Sequence, residues 1–188
     1  MSAEGRRLCQ RLKASDPRWL PHYAGQVAEF CARERRFANL FAADAWLVPV
    51  PGHAPACGRR AAAFHLAMAL HELGLAVQVW PGIARCVAVT RSATALPGER
   101  PTVRQHYESF AIAAATRPPP RLVLVDDVIT KGRTLLAAAA KLRDAFPSAD
   151  VRAFAMVRST GFLNRLDRLL APCEGVVYWT GRDARREP

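Results

Sequence analysis

The most constraining feature of this sequence is an apolar run that ends in two adjacent carboxylates and then in a turn containing glycine. It is the segment LVLVDDVITKGRT at positions 122–134. The four apolar residues at its start predict a buried central strand. The apolar periodicity that follows Gly132 predicts a helix to about Phe146, ended by Pro147. A strand, a turn and a helix in this order form the arrangement in which open α/β sheets bind ligands, beyond the carboxyl ends of the strands.

The turn has the chemistry of a phosphate site. The start of a helix offers backbone N–H groups and a partial positive charge, and Gly132 allows close approach of the backbone. Thr130 and Thr134 add hydroxyl donors. Asp126 and Asp127 would repel a phosphate, so they must serve something else, for which ribose hydroxyls and a divalent cation are the obvious candidates. The competing interpretation is a helix-capping turn in an unrelated α/β protein.

The rest of the chain alternates between predicted strands and helices. We predict strands at 45–51, 77–79, 86–90, 107–113, 151–157 and 176–179, helices at 19–41, 61–73 and 163–170, and a long loop at 91–106. Alternation of this kind predicts an α/β fold with a mostly parallel central sheet covered by helices. No internal repeat or linker divides the sequence, so we expect a single domain over 1–188.

Composition narrows the functional classes. The formal net charge is +11, and only three of the 27 basic residues are lysines. Arginine suits phosphate and pyrophosphate, so a small anionic ligand or a nucleic acid is compatible with this charge, as is a merely solvated surface. The five cysteines lie far apart and form no Cys-x-x-Cys pair, which disfavours a structural zinc site. With no membrane span or secretory signal visible, we expect a cytosolic protein.

Segment 126–134 resembles the PRPP (phosphoribosyl pyrophosphate) motif of the type I phosphoribosyltransferases. It departs from that motif at Lys131, where threonine is usual, and at Arg133, which is bulkier than the common alanine or serine. The resemblance implies that Asp126 and Asp127 hold the ribose hydroxyls of PRPP, help to place Mg²⁺ and count as catalytic residues. It also implies a 5′-phosphate site made by Thr130, Lys131, Gly132, Arg133 and Thr134.

An earlier segment is AWLVPVPGHAPACGRRAAAFHLAMAL at positions 45–70. It resembles the ComF-like branch of the same superfamily, without the zinc module of that branch. The segment ends a strand in Pro-Val-Pro and continues into an arginine-containing loop and a helix. The resemblance implies that Gly52, His53 and Arg59 bind the pyrophosphate of PRPP, although an exposed polar loop explains these residues equally well.

The loop expected at 91–106 would be the flexible catalytic loop by the same resemblance. Arg104, in preference to Arg100, would stabilise the charge that grows on the leaving pyrophosphate. His106 is either an acid/base group or, as is commoner for a lone histidine, a structural residue.

By the same resemblance, residues 1–43 and 159–188 form a small hood over the acceptor site. Aromatic residues in these parts are candidates for stacking on a planar base, or else pack in the core: Trp19, Tyr23, Phe37, Tyr178 and Trp179. The implied function is Mg²⁺-dependent phosphoribosyl transfer from PRPP to a nitrogen acceptor. The alternative is a non-catalytic PRPP sensor or a DNA-uptake module. The sequence leaves the acceptor and the oligomeric state open, a homodimer included.

Overall fold

The computed structural model describes residues 3–14, 19–56, 60–90, 99–115, 119–159 and 172–187. Several sequence predictions therefore fall wholly or partly outside the described residues. They include the role of Arg59, the helix expected at 163–170, the 91–98 part of the expected loop and parts of the hood expected from 1–43 and 159–188.

The described part of the chain contains six helices and eight strands. The helices are α1 (Ala3–Ala14), α2 (Leu20–Arg33), α3 (Arg35–Ala38), α4 (Ala62–Glu72), α5 (Val103–Glu108) and α6 (Arg133–Ala145). The strands are β1 (Ala45–Pro49), β2 (Gln78–Val79), β3 (Ile83–Arg85), β4 (Phe110–Ile112), β5 (Arg121–Ile129), β6 (Asp150–Arg158), β7 (Val176–Trp179) and β8 (Ala184–Glu187). Among the described residues, none of the helices combines the length and apolarity that crossing a membrane requires.

Four strands form a parallel central sheet in the order β2-β1-β5-β6. Strands β1 and β5 are neighbours in the middle, with Ala45 opposite Arg121 and Pro49 opposite Val125. Each pair of consecutive strands in the sheet is parallel. The predicted α/β class with a parallel sheet flanked by helices is therefore confirmed, and the carboxyl ends of β1 and β5 lie side by side.

Side chains alternate between the two faces of this sheet, as the pleat of a strand requires. Leu47 and Val123 face a cluster that includes residues of α1, α2 and α4. Trp46 and Leu124 face the opposite cluster, to which α6 contributes Leu142. All of these side chains are at most 2% exposed. Burial of a large apolar side chain stabilises a fold by about 1.5–3 kcal/mol, so both faces hold β5 firmly beneath the candidate site.

Two antiparallel strand pairs lie outside the central sheet: β3 with β4, and β7 with β8. The strand predicted at 86–90 is wrong, because the ladder of β3 with the three-residue β4 ends at Arg85 opposite Phe110. Cys86 and Val87 are exposed beyond it. The strand predicted at 176–179 is confirmed as β7.

Three other predicted elements need correction. The long loop expected at 91–106 gives way to α5 from Val103, because Thr102 and Gln105 form a reciprocal capping box. This helix also takes Tyr107, so the strand expected at 107–113 is reduced to β4. The helix expected at 19–41 breaks at Glu34, whose backbone is extended between α2 and α3.

Candidate active site

The two carboxylates of the motif lie near the carboxyl end of β5. The sequence predicted a strand that ends before them. In the structure β5 continues to Ile129, with Asp126 opposite Ala155 of β6. The backbone N–H of Asp127 donates to Asp126 Oδ1 at 2.9 Å, and that of Val128 donates to Asp127 Oδ1 at 2.9 Å. Both side chains are partly buried, so their orientation is held by their own strand while part of each stays accessible.

The turn after β5 opens helix α6. We call residues 130–134 the phosphate loop. Gly132 has a φ of 83°, in the left-handed region that favours glycine, and its carbonyl accepts from Leu136 N at 2.8 Å. Among the described residues, no side chain caps the start of α6. The first backbone N–H groups of this 13-residue helix therefore retain the donor capacity that an anion requires.

The end of β1 lies beside the carboxylates. Val50 N donates to Val125 O at 2.9 Å, which brings the following residues to the same edge of the sheet as Asp126. Gly52 and His53 are exposed there, and the His53 carbonyl accepts from Val89 N at 2.8 Å. The structure thus brings Gly52 and His53, two of the three predicted pyrophosphate-binding residues, to the strand end next to that of the predicted ribose carboxylates.

Arg104, the predicted catalytic arginine, lies on α5. Its side chain is 85% exposed, and its Nε donates to Glu108 Oε1 at 2.6 Å, one helical turn away. This hydrogen bond raises the pKa of Arg104. The side chain is thus charged and accessible, and its role at a pyrophosphate stays a prediction.

The two motif positions that depart from the family pattern share one partner, Asp183, from the turn between β7 and β8. Arg133 donates to both carboxylate oxygens of Asp183, each at 2.6 Å, and Lys131 Nζ lies 3.1 Å from Oδ2. The hydrogen bond from Arg133 holds the pKa of Asp183 well below its usual range. Arg133 Nη1 also reaches the carbonyls of Arg100 and Pro101 at 3.3 and 3.2 Å. These side chains fasten the C-terminal hairpin to the phosphate loop, and their binding of a phosphate stays a prediction.

The same hairpin packs against Gly132. A Cβ atom at this position would lie 2.6 Å from Val177 Cγ1 of β7, which is closer than real contacts allow. Gly132 is therefore required twice, by its positive φ and by the approach of Val177.

A buried polar cluster lies between the two loops, and we call Arg85, His106 and Ser109 the buried triad. These side chains are 5%, 3% and 3% exposed. Arg85 donates through Nε to the Gly52 carbonyl and through Nη1 to Ser109 Oγ, and its Nη2 lies 3.4 Å from His106 Nδ1. His106 Nε2 lies 3.4 Å from Thr134 Oγ1. The triad therefore contacts both Gly52, which follows β1, and the phosphate loop.

Burial sets the charge state of this cluster. Desolvation, aided by the charges of Arg85 and Arg133, lowers the pKa of His106 to about 4, so its imidazole is neutral at pH 7. Desolvation also lowers the pKa of Arg85 to about 10, which leaves the guanidinium charged. Its carbon lies 4.4 Å from the centre of the Phe110 ring, a cation–π contact. Of the two sequence interpretations of His106, this burial favours the structural one over acid/base catalysis near neutral pH.

Sequence reasoning missed Arg85, Ser109 and Asp183. Arg85 ends a three-residue strand in which Ile83 is also buried, and a charged residue in such a position is the one signal that singles it out. Ser109 and Asp183 carry no such local signal, because the partners that connect them to the site, Arg85 and Arg133, lie 24 and 50 residues away in the sequence.

The chemistry of the carboxylate pair fits Mg²⁺. No group of three or more histidine, cysteine, aspartate and glutamate side chains is positioned for a metal in the described part of the chain. Mg²⁺ commonly uses only one or two carboxylates and takes its other ligands from water and a substrate phosphate. Asp126 and Asp127, next to a phosphate loop, provide such a donor set.

Comparison with known proteins finds one partial similarity to an enzyme. The chain is similar to the adenine phosphoribosyltransferase of Rhodospirillum centenum, with 36% identity over 99 residues. The match covers 49% of this chain and 56% of that enzyme, so it spans only about half of either protein. No protein-family profile matches the sequence. The similarity agrees with the resemblance of segment 126–134 to the type I phosphoribosyltransferase superfamily, and it does not bear on the ComF-like branch.

Proposed function

We propose that this protein binds PRPP with Mg²⁺ and transfers its 5-phosphoribosyl group to a nitrogen of a nucleobase, releasing pyrophosphate. One observation carries the proposal. The adjacent carboxylates Asp126 and Asp127 lie at the carboxyl end of a central parallel strand, directly before a helix that opens at Gly132. The partial similarity to an adenine phosphoribosyltransferase supports it.

The binding of PRPP, the phosphoribosyl donor, follows from this arrangement. Asp126 and Asp127 accept hydrogen bonds from the ribose hydroxyls, and the start of α6 binds the 5′-phosphate through backbone N–H groups. Thr130 and Thr134 add hydroxyl donors. When Mg²⁺ is bound with PRPP at the carboxylates, it neutralises charge on the pyrophosphate.

The pyrophosphate side uses the loop after β1 and one arginine of α5. Gly52, His53 and Arg59 bind the pyrophosphate of PRPP. Arg104 exchanges its exposed partner Glu108 for the leaving group, an exchange that costs little because surface ion pairs are weak. These groups stabilise the negative charge that develops as pyrophosphate departs.

The chemical step is a substitution at C1 of the ribose. A lone pair on the acceptor nitrogen forms the new C–N bond, and the C–O bond to pyrophosphate breaks with its electron pair leaving on oxygen. The acceptor N–H proton is then lost to solvent. The protein contributes orientation and electrostatic stabilisation and forms no covalent bond to the substrate.

The acceptor lies under the C-terminal hairpin in this proposal. Trp179 is 51% exposed on β7, which packs next to the phosphate loop through Val177. An exposed indole ring is a suitable face for a planar base. Because the similar enzyme is named for adenine, adenine is the first acceptor to test.

A calorimetric titration of Mg²⁺-PRPP tests the proposal. We expect micromolar binding by the wild-type protein and its loss in the double variant Asp126→Asn/Asp127→Asn, because the amides lack the charge and acceptor capacity of the carboxylates. The matched control is Asp44→Asn/Asp150→Asn, which removes the same charge beside Arg121 at the opposite edge of the sheet. Pyrophosphate release with adenine, hypoxanthine, guanine and uracil then identifies the acceptor.

Two outcomes would contradict the proposal. Absence of PRPP binding by a folded wild-type protein removes it and makes nucleic acid the next ligand to test. PRPP binding without pyrophosphate release from any base favours the non-catalytic sensor instead.

A further inference from the structure

The buried triad forms a continuous polar connection between the two loops of the candidate site. It runs from the Gly52 carbonyl through Arg85 to His106, and from His106 to the hydroxyl of Thr134. The proposed chemistry uses Gly52 and Thr134 and leaves the two buried side chains between them without a role. Side chains of this polarity are seldom as fully buried unless they are paired, so the connection requires an explanation.

The direction of each hydrogen bond follows from the donors available. A guanidinium group has only donors, so His106 Nδ1 must accept from Arg85. A neutral imidazole that accepts at Nδ1 carries its proton on Nε2. Thr134 Oγ1 lies 3.4 Å from that nitrogen and therefore accepts the Nε2–H. The charged groups that face His106 are Arg85 and Arg133, and both oppose a second proton on the ring.

We propose that His106 is a positioning residue of the phosphate loop, which donates from Nε2 to Thr134 Oγ1 so that the Thr134 hydroxyl proton points toward a bound phosphate oxygen. The inference rests on the proposed function, since it assumes that residues 130–134 bind a phosphate. His106 acts through Thr134 and does not itself touch the substrate.

The hydroxyl of Thr134 needs such an orienting contact. The side chain of a threonine in the first turn of a helix can rotate and bond to nearby backbone groups. Its hydroxyl proton is then no longer available for a hydrogen bond to a ligand. A donor fixed behind the oxygen favours the rotamer in which the hydroxyl stays at the start of α6. His106 is well placed to provide it, because the ring is 3% exposed and stacks at 22° to Phe110, with ring centres 6.3 Å apart.

Two substitutions of His106 distinguish the roles of its two ring nitrogens. Glutamine reaches far enough to place an amide N–H near the position of Nε2, whereas asparagine reaches only the position of Nδ1. We expect His106→Gln to bind inorganic phosphate and Mg²⁺-PRPP within about twofold of wild type, and His106→Asn to bind both about three- to tenfold more weakly. Equal losses in the two variants, or a loss in neither, would overturn the proposal.

A double-mutant cycle assigns the effect to Thr134. In a Thr134→Val background, which lacks the hydroxyl, His106→Asn should cause no further loss of phosphate affinity. Thr134→Ser, which keeps the hydroxyl, is the control and should behave like the wild type in the cycle. A full additional loss in the valine background would show that His106 acts elsewhere, and the proposal would fail.

Nitrogen-15 NMR of the unaltered protein gives a readout that depends on no variant. We expect the neutral tautomer of His106 with its proton on Nε2 at pH 7, and a proton on Nδ1 would contradict the proposal. Failure of the proposed function alone is distinguishable from failure of the proposal for His106. In that case the wild type binds phosphate in a His106-dependent manner but does not bind PRPP. A wild type that binds neither ligand removes both ideas.

Discussion

His106 illustrates how burial of one residue links stability to pH. Its pKa is lowered to about 4 in the folded protein, from the ordinary histidine value of 6.5 that applies in the unfolded chain. Between these values the unfolded state binds more protons, so the free energy of unfolding rises with pH through this window. The contribution is complete above about pH 6.5 and is lost as pH falls toward 4.

We therefore expect the wild type to lose stability between pH 6.5 and 4.5 with a slope of up to about 1.4 kcal/mol per pH unit from this residue. Urea unfolding at several pH values measures it. His106→Gln, which cannot titrate, should lack this part of the slope. An unchanged slope in the glutamine variant would show that His106 is not the group responsible.

Gly132 provides a second prediction at the scale of one residue. Its Cβ-free backbone satisfies both a φ of 83° and the close approach of Val177. Gly132→Ala should lower the free energy of unfolding by more than the roughly 1–2 kcal/mol that a left-handed residue costs alone. Adding Val177→Ala should restore the part of the stability loss that comes from the contact with Val177, but not the part that comes from the positive φ.

Gly74→Ala is the matched control in these unfolding measurements. Gly74 has a φ of 76°, and nothing lies within 4 Å of the position of its Cβ. Gly74→Ala therefore reports the cost of the positive φ without any contact between the new Cβ and a neighbouring side chain. A Gly132→Ala variant no less stable than Gly74→Ala would contradict the role assigned to Val177.

At the scale of elements, the C-terminal hairpin is held to the phosphate loop by the ion pairs of Asp183. Asp183→Asn removes the carboxylate that Arg133 and Lys131 share, so β7 and β8 should open more often. Hydrogen exchange should show faster exchange in 176–187 with unchanged protection in β5. The control Glu187→Gln removes the same charge from the same hairpin, at a residue that pairs with Tyr178 and Arg185. Equal effects of the two variants would count against a specific role of Asp183.

The sequence predicted best the elements with strong local periodicity. Strands β1, β5 and β6 and helices α4 and α6 were all expected, because apolar runs and helical spacing report burial directly. The six-residue helix α5 was missed because its main signal is the capping box of Thr102 and Gln105, which lies in a polar segment without apolar periodicity.

The candidate site was predictable only in its local part. Asp126 and Gly132 belong to one contiguous motif, and the strand end at Gly52 follows from a second one. The partners of these segments are not local: Asp183 lies 50 residues from Arg133, and Arg85 lies 33 residues from Gly52. Such contacts depend on how the elements pack, which a single sequence does not specify.

At the scale of the whole molecule, the two core clusters meet in the central sheet. Leu47 of β1 belongs to one cluster and Leu124 of β5 to the other, and both are fully buried. Leu47→Ala and Leu124→Ala should each lower the free energy of unfolding by about 2–5 kcal/mol. Because both clusters share β1 and β5, fluorescence and circular dichroism should report a single transition in each variant. Separate transitions for the two faces would contradict this view.

The shared partner of Lys131 and Arg133 has an evolutionary consequence. Basic side chains at these two positions fasten the hairpin to the loop only while an acidic residue occupies the hairpin turn at Asp183. In related sequences the three positions should therefore covary: where the loop carries small or hydroxyl residues, the turn should lose its acid. Gly132 should persist in both groups, since its φ is required whether or not a hairpin covers it.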